Sequence, residues 1–173
     1  MQRFLKTVAV MALSNTRGRS ALIAPLASML ILALWAVPVR AETFSFTALL
    51  NSGQEPPPNT NNSKALGVAF VTFNIATGEL CFSITFEDDK LTSRETAAHF
   101  HFPAPPGANA PAQIFLVPGD FPGSPKNGCL TPELTAEDKR DLFRGLWYVN
   151  IHTEVNPGGE IRGQVLPQMA PVF

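Results

Sequence analysis

Short apolar runs, alternating or β-branched, recur from Phe44 to Leu166 and are separated by stretches rich in Pro, Gly and Asn. In residues 44–50, Phe44, Phe46 and Ala48 fall on one side, as a strand with one buried face requires. Residues 66–74 are small, aromatic or β-branched on both faces, the pattern of a strand inside a sandwich. Beyond the turn at Ala76-Thr77-Gly78, Leu80, Phe82, Ile84 and Phe86 share one face of 79–86, so these two runs predict a hairpin. Further strands are expected at 97–102, 113–117, 146–153 and 160–166, the last pair joined by Asn156-Pro157-Gly158-Gly159. Residues 51–64 have no periodicity and read as an exposed loop; 118–128 read as a turn-rich connection leading to Cys129. One short helix is predicted, with Thr135 and Asp138 as a capping box, Gly145 as its stop, and Arg140 and Arg144 near its end. The pattern specifies an all-β protein, a Greek-key-like β-sandwich or barrel with one short helix.

The first 41 residues follow a different rule. They hold five of the 13 basic residues and none of the 14 acidic ones. A basic stretch precedes the apolar run Ala21–Pro38, which ends at Val39-Arg40-Ala41, the small-residue pattern of a signal-peptide cleavage site. We expect residues 1–41 to be a signal peptide and 42–173 to be the folded domain, secreted, periplasmic or at the cell surface. A membrane would be engaged only through an uncleaved signal. From Glu42 onward eight basic residues face 14 acidic ones, a balance that excludes a nucleic-acid partner. The two cysteines, Cys81 and Cys129, both lie in the exported part and are expected to form a disulfide in an oxidising compartment.

The chemistry concentrates in three histidines. His99 and His101 form H-x-H in one strand, so alternation places both imidazoles on one face and Ala98, Phe100 and Phe102 on the other. His152 lies in the last hairpin. Keeping apolar positions together there puts His152 on one face with Asn150, Glu160, Arg162 and Gln164; we expect His152 opposite Arg162. Three imidazoles suit copper or zinc and leave a coordination position open. The alternative is three ordinary histidines bonded to polar neighbours. Asn150, Glu160 and Arg162 would stand behind the ligands and orient them. Arg162 equally reads as a solvated partner of Glu154 or Glu160, and Trp147 and Tyr148 as packing residues. Asn61-Asn62-Ser63 fits an N-glycosylation acceptor. The chain holds no H-E-x-x-H, phosphate loop or nucleotide fingerprint, and no hydrolase motif.

Two blocks, AHFHFPAPPGANAPAQIFL near residues 97–116 and GLWYVNIHTEVNPGGEIRGQVL at 145–166, resemble the signature segments of the chordin-type (CHRD) domain family. The resemblance covers about residues 44 to 167, with Phe102 standing where the family often has Gly. It implies an extracellular β-domain and no particular reaction. A more distant likeness, to copper–zinc superoxide dismutase, rests on the H-x-H strand and the single disulfide; the shortage of further histidines separates the two. The expected function is therefore a secreted, non-enzymatic CHRD-type domain that binds a transition metal, copper ahead of zinc, through His99, His101 and His152. The alternative is an extracellular module contacting a protein or polysaccharide partner without metal, and the third a dismutase-type copper oxidoreductase.

Overall fold

The structure, a computed structural model, describes residues 42–116 and 123–168. The expected signal peptide at 1–41 lies outside the described residues. Among the described residues, eight strands form one antiparallel sheet: β1 (Thr43–Asn51), β2 (Leu66–Asn74), β3 (Leu80–Phe86), β4 (Glu95–His101), β5 (Ala112–Phe115), β6 (Lys126–Leu130), β7 (Trp147–Thr153) and β8 (Ile161–Pro167). Their order is β5-β4-β7-β8-β1-β2-β3-β6, so the chain repeatedly crosses between the halves of the sheet.

Alternation gives most of the strands an apolar face, and the sheet curls into a half-barrel to bury these faces together. Phe46, Val71, Phe82, Phe100, Trp147 and Ile161, from six strands, lie in one core. Phe82 of β3 meets Phe100 of β4 edge-on at 6.3 Å between ring centroids, although four strands separate them in the sheet. The predicted helix is α1 (Ala136–Phe143), with the Thr135–Asp138 capping box formed and Gly145 in the left-handed region at φ 72°. Its Phe143 ring packs on Phe44 and Phe46, closing one end of the core.

Two expectations need correction. The stretch before Cys129 is not all turn: residues 126–130 form β6, whose KNGCL sequence lacks the apolar alternation that marks a strand. It is held by its ladder to β3, in which Cys81 lies directly opposite Cys129 and is bonded to it. Nor is 51–64 simply exposed, because Glu55, Pro56 and Ser63 are buried. That loop packs over the sheet's outer face instead of trailing from it.

Two buried carboxylates tie distant segments together. Glu95 of β4 pairs with Lys126 of β6 at 2.8 Å, with both side chains 3% exposed. This bridge spans the seam between the two ends of the curled sheet. Glu160, 0% exposed, accepts bonds from Ser63 Oγ, Thr92 N, Thr92 Oγ1, Thr153 Oγ1 and Asn156 Nδ2. One carboxylate thus joins the 61–65 loop, the segment before β4 and both ends of the β7–β8 turn. Burial alone would raise the Glu160 pKa, but the bonds from Ser63, Thr153 and Thr92 outweigh it and hold the carboxyl below its usual value.

Removing one member of a buried pair leaves a charge uncompensated, so Lys126→Met is expected to cost about 3–5 kcal/mol in denaturant unfolding, with Glu95→Gln restoring much of it. A cost near zero for the single variant would contradict the seam role. Glu160→Gln is expected to cost about 2–3 kcal/mol. Because the folded pKa of Glu160 is depressed, its stabilisation is present above the unfolded value and disappears as pH falls through the folded one. Unfolding curves across acid pH should show that component in the wild type and not in the variant.

Candidate metal centre

β4 and β7 are hydrogen-bonded neighbours with Ala97 opposite His152, His99 opposite Asn150 and His101 opposite Tyr148. All three histidines therefore emerge on the outer face, and one ring nitrogen from each lies within 4.8 Å of the other two. In the β7–β8 hairpin Asn150, not His152, stands opposite Arg162. The expected register is off by two residues. Apolar alternation fixes which face a residue takes but leaves shifts of two open; the turn chooses among them. Here Gly159, at φ 128°, and the bond from Glu160 N to Ile151 O set the shorter pairing. The face assignment stands: Asn150, His152, Arg162 and Gln164 share the outer side.

Two backbone carbonyls orient two of the rings. His101 Nδ1 lies 3.0 Å from Ala110 O, and His152 Nδ1 lies 3.0 Å from Pro157 O. A carbonyl only accepts, so each Nδ1 carries the proton and each Nε2 is left with a lone pair. Those two Nε2 atoms face each other at 3.4 Å. His99 Nδ1 is buried and has no hydrogen-bond partner among the described residues. Burial, then the neighbouring histidines, push the His99 pKa down to about 4. Burial does the same for His101, to about 4, against the Ala110 bond and with the help of His152 and Arg162. Burial also lowers His152, against the Pro157 carbonyl and Glu95. All three rings are neutral at physiological pH, and no proton bridges the facing lone pairs.

The supports reach outward from the rings. Tyr148 stacks on His101, with centroids at 4.7 Å and planes 5° apart, and its hydroxyl is fixed by both polar atoms of the Ala110 backbone. Arg162 lies over the other side of Tyr148, its Cζ 3.5 Å from the ring centroid. Arg162 is 1% exposed and so is not the solvated partner of Glu154 or Glu160 that the hairpin suggested. Tyr148, read as packing, is the middle layer of an Arg–Tyr–His stack; Trp147 does face the core, stacked on Phe102. Glu160 acts at one remove, because the turn it clamps carries Pro157 O. Asn150 sits beneath Gly159, where an added Cβ would come within 2.3 Å of its amide.

Glu55 escaped sequence reasoning, since an acid in a Pro- and Asn-rich loop has no periodic signal. It is buried beside Asn150 and Gly159. Burial pushes its carboxyl up to about 7, against the pull of Arg162 and the Asn150 amide. The glycosylation reading of Asn61 does not fit the fold. Its amide nitrogen donates to Glu160 O at 3.0 Å and its Oδ1 accepts from Ser63 N, so the group a glycan would occupy holds the loop.

Compared with curated proteins and with solved structures, the chain finds no match. The model of the CHRD domain family matches residues 46–165, from the middle of β1 to the middle of β8, and includes all three histidines and both cysteines. The chain belongs to the CHRD domain family.

Proposed function

We propose that this CHRD domain is an exported, non-enzymatic module that binds one transition-metal ion, copper in preference to zinc, through His99, His101 and His152. The observation that carries the reading is the pair of buried Nε2 lone pairs 3.4 Å apart. Lone pairs aimed at each other repel, and here neither ring holds the proton that would relieve them. Two nitrogens about 2.0–2.1 Å from a tetrahedral ion lie about 3.3 Å apart, so a cation between them converts the repulsion into two bonds. His99 supplies the third nitrogen; its ring centroid lies 4.8 Å from that of His152 and 5.5 Å from that of His101. Imidazoles without oxygen ligands disfavour calcium and magnesium, and among divalent ions copper binds such sites more tightly than zinc. Export is supported by the basic and apolar residues before Glu42 and by the Cys81–Cys129 disulfide, a bond that persists outside the cytosol.

Titration of the purified protein with Cu(II) and with Zn(II), read by native mass spectrometry, should give one tightly held ion per chain. His101→Ala and His152→Ala are each expected to weaken binding at least 100-fold, and His99→Ala at least 10-fold, with circular dichroism reporting an intact fold. A folded wild type that takes up no metal, or variants that bind as tightly, would sink the proposal. The pKa shifts set a pH signature. Because His99 and His101 titrate near 4 in the fold and near 6.5 in the open chain, chelator-treated protein should hold its stability above about 6.5 and lose it as pH falls towards 4. Thermal melts from pH 7 to 4 would show this slope, reduced in His101→Ala.

A further inference from the structure

The outer face of β1, β2 and β3 is bare of charge. Side chains alternate between core and solvent along these strands, and not one outward position is Asp, Glu, Lys or Arg. The register gathers the apolar members of this face into one patch. Leu166 of β8 and Phe70 of β2 stand on either side of Thr47 of β1, and Leu49 faces Val68 in the next row. Leu49, Phe70 and Leu166, with Leu66 beyond them, are each at least 54% exposed, and no described segment covers them. These four side chains present on the order of 500 Å² of apolar surface, as much as the largest patch of a typical monomer. Next to the projecting Phe70 ring lies a cleft of about 350 Å³, whose lining includes Thr47, Leu49, Leu166 and Pro167.

Charge selects the partner. A strongly acidic or basic partner finds no counter-charge on this face, and an anionic membrane surface calls for Lys and Arg beside the apolar side chains. From Glu42 onward eight basic residues stand against 14 acidic ones, so two copies of the chain repel each other over most approaches. On this face the repulsion has no local source. A twofold axis sets residues near it against their own equivalents, which neutral side chains tolerate and charged ones do not. Area agrees, because a standard interface takes about 800 Å² from each partner and the Thr, Ser and Asn positions around the patch extend it towards that figure. Shape agrees as well, since a projecting ring and a cleft on the same face are both satisfied by one axis. We infer that two copies of this chain pack the outer faces of β1, β2 and β3 together about a twofold axis, the Phe70 ring of each entering the other's cleft between Leu49 and Leu166. These strands carry none of the histidines, so the dimer forms without metal.

The test is sedimentation velocity of the purified protein in EDTA over a hundredfold range of concentration. The wild type should pass from monomer to dimer and stop there. Phe70→Glu and Leu49→Glu should each raise the dissociation constant at least 100-fold, whereas Val155→Glu, at an equally exposed position in the β7–β8 turn, should leave it unchanged. Circular dichroism and thermal melting report the fold of each variant, and Leu49→Glu decides the matter if Phe70→Glu is unfolded. A wild type that stays monomeric at the highest concentration would overturn the inference. So would a dimer that persists unchanged in the folded Phe70→Glu and Leu49→Glu variants, or one lost equally in Val155→Glu. Because EDTA removes metal, failure here says nothing against the histidine centre, and success says nothing for it.

Discussion

β7 is buried along its entire length, and the rest of the structure follows from how its two faces are satisfied. On the inner face Trp147, Val149 and Ile151 take part in the core of the curled sheet. On the outer face Tyr148, Asn150 and His152 carry polar atoms that cannot be buried without partners. The 52–64 and 102–111 segments cover that face and bring carbonyls, amides and hydroxyls to it. A sheet with a solvated outer side would need neither loop. The 102–111 loop is thus part of the site, because its Ala110 carbonyl decides which way His101 points.

Orientation then passes through short chains of contacts. Ala110, fixed by the Tyr148 hydroxyl, sets the His101 tautomer, and Pro157, in the turn clamped by Glu160, sets that of His152. Burial keeps both rings neutral, and neutral rings with Nδ1 occupied present Nε2 as a ligand atom. The same burial lowers the pKa of all three rings. The disulfide and the Glu95–Lys126 bridge act elsewhere, anchoring β6 so that the far edge of the sheet remains folded over the core.

Much of this was legible in the sequence. The period of two along 80–86, 97–101 and 147–152 places Phe82, Phe100 and Ile151 inwards and His99, His101 and His152 outwards, and the structure agrees. The hairpin register was not legible, because parity cannot distinguish His152 from Asn150 as the residue facing Arg162. β6 was missed because its strand character comes from pairing with β3 and not from its own residues. Glu55 and the carbonyls of Ala110 and Pro157 were invisible for a related reason. Their roles arise from loops and turns packing back on the sheet, which the period of the strands does not encode. Burial of Arg162 belongs with them, since a charged residue near a turn ordinarily remains in water.

The proposed centre has three imidazoles sharing one ion, and the most direct measurement is of the ion's own neighbours. Pulsed electron paramagnetic resonance of the protein loaded with one equivalent of Cu(II) counts coordinated imidazoles through their remote ring nitrogens. Three imidazoles are expected, falling to two in His99→Ala. A copper ion with one imidazole or none, held instead by backbone amides or carboxylates, would contradict the account.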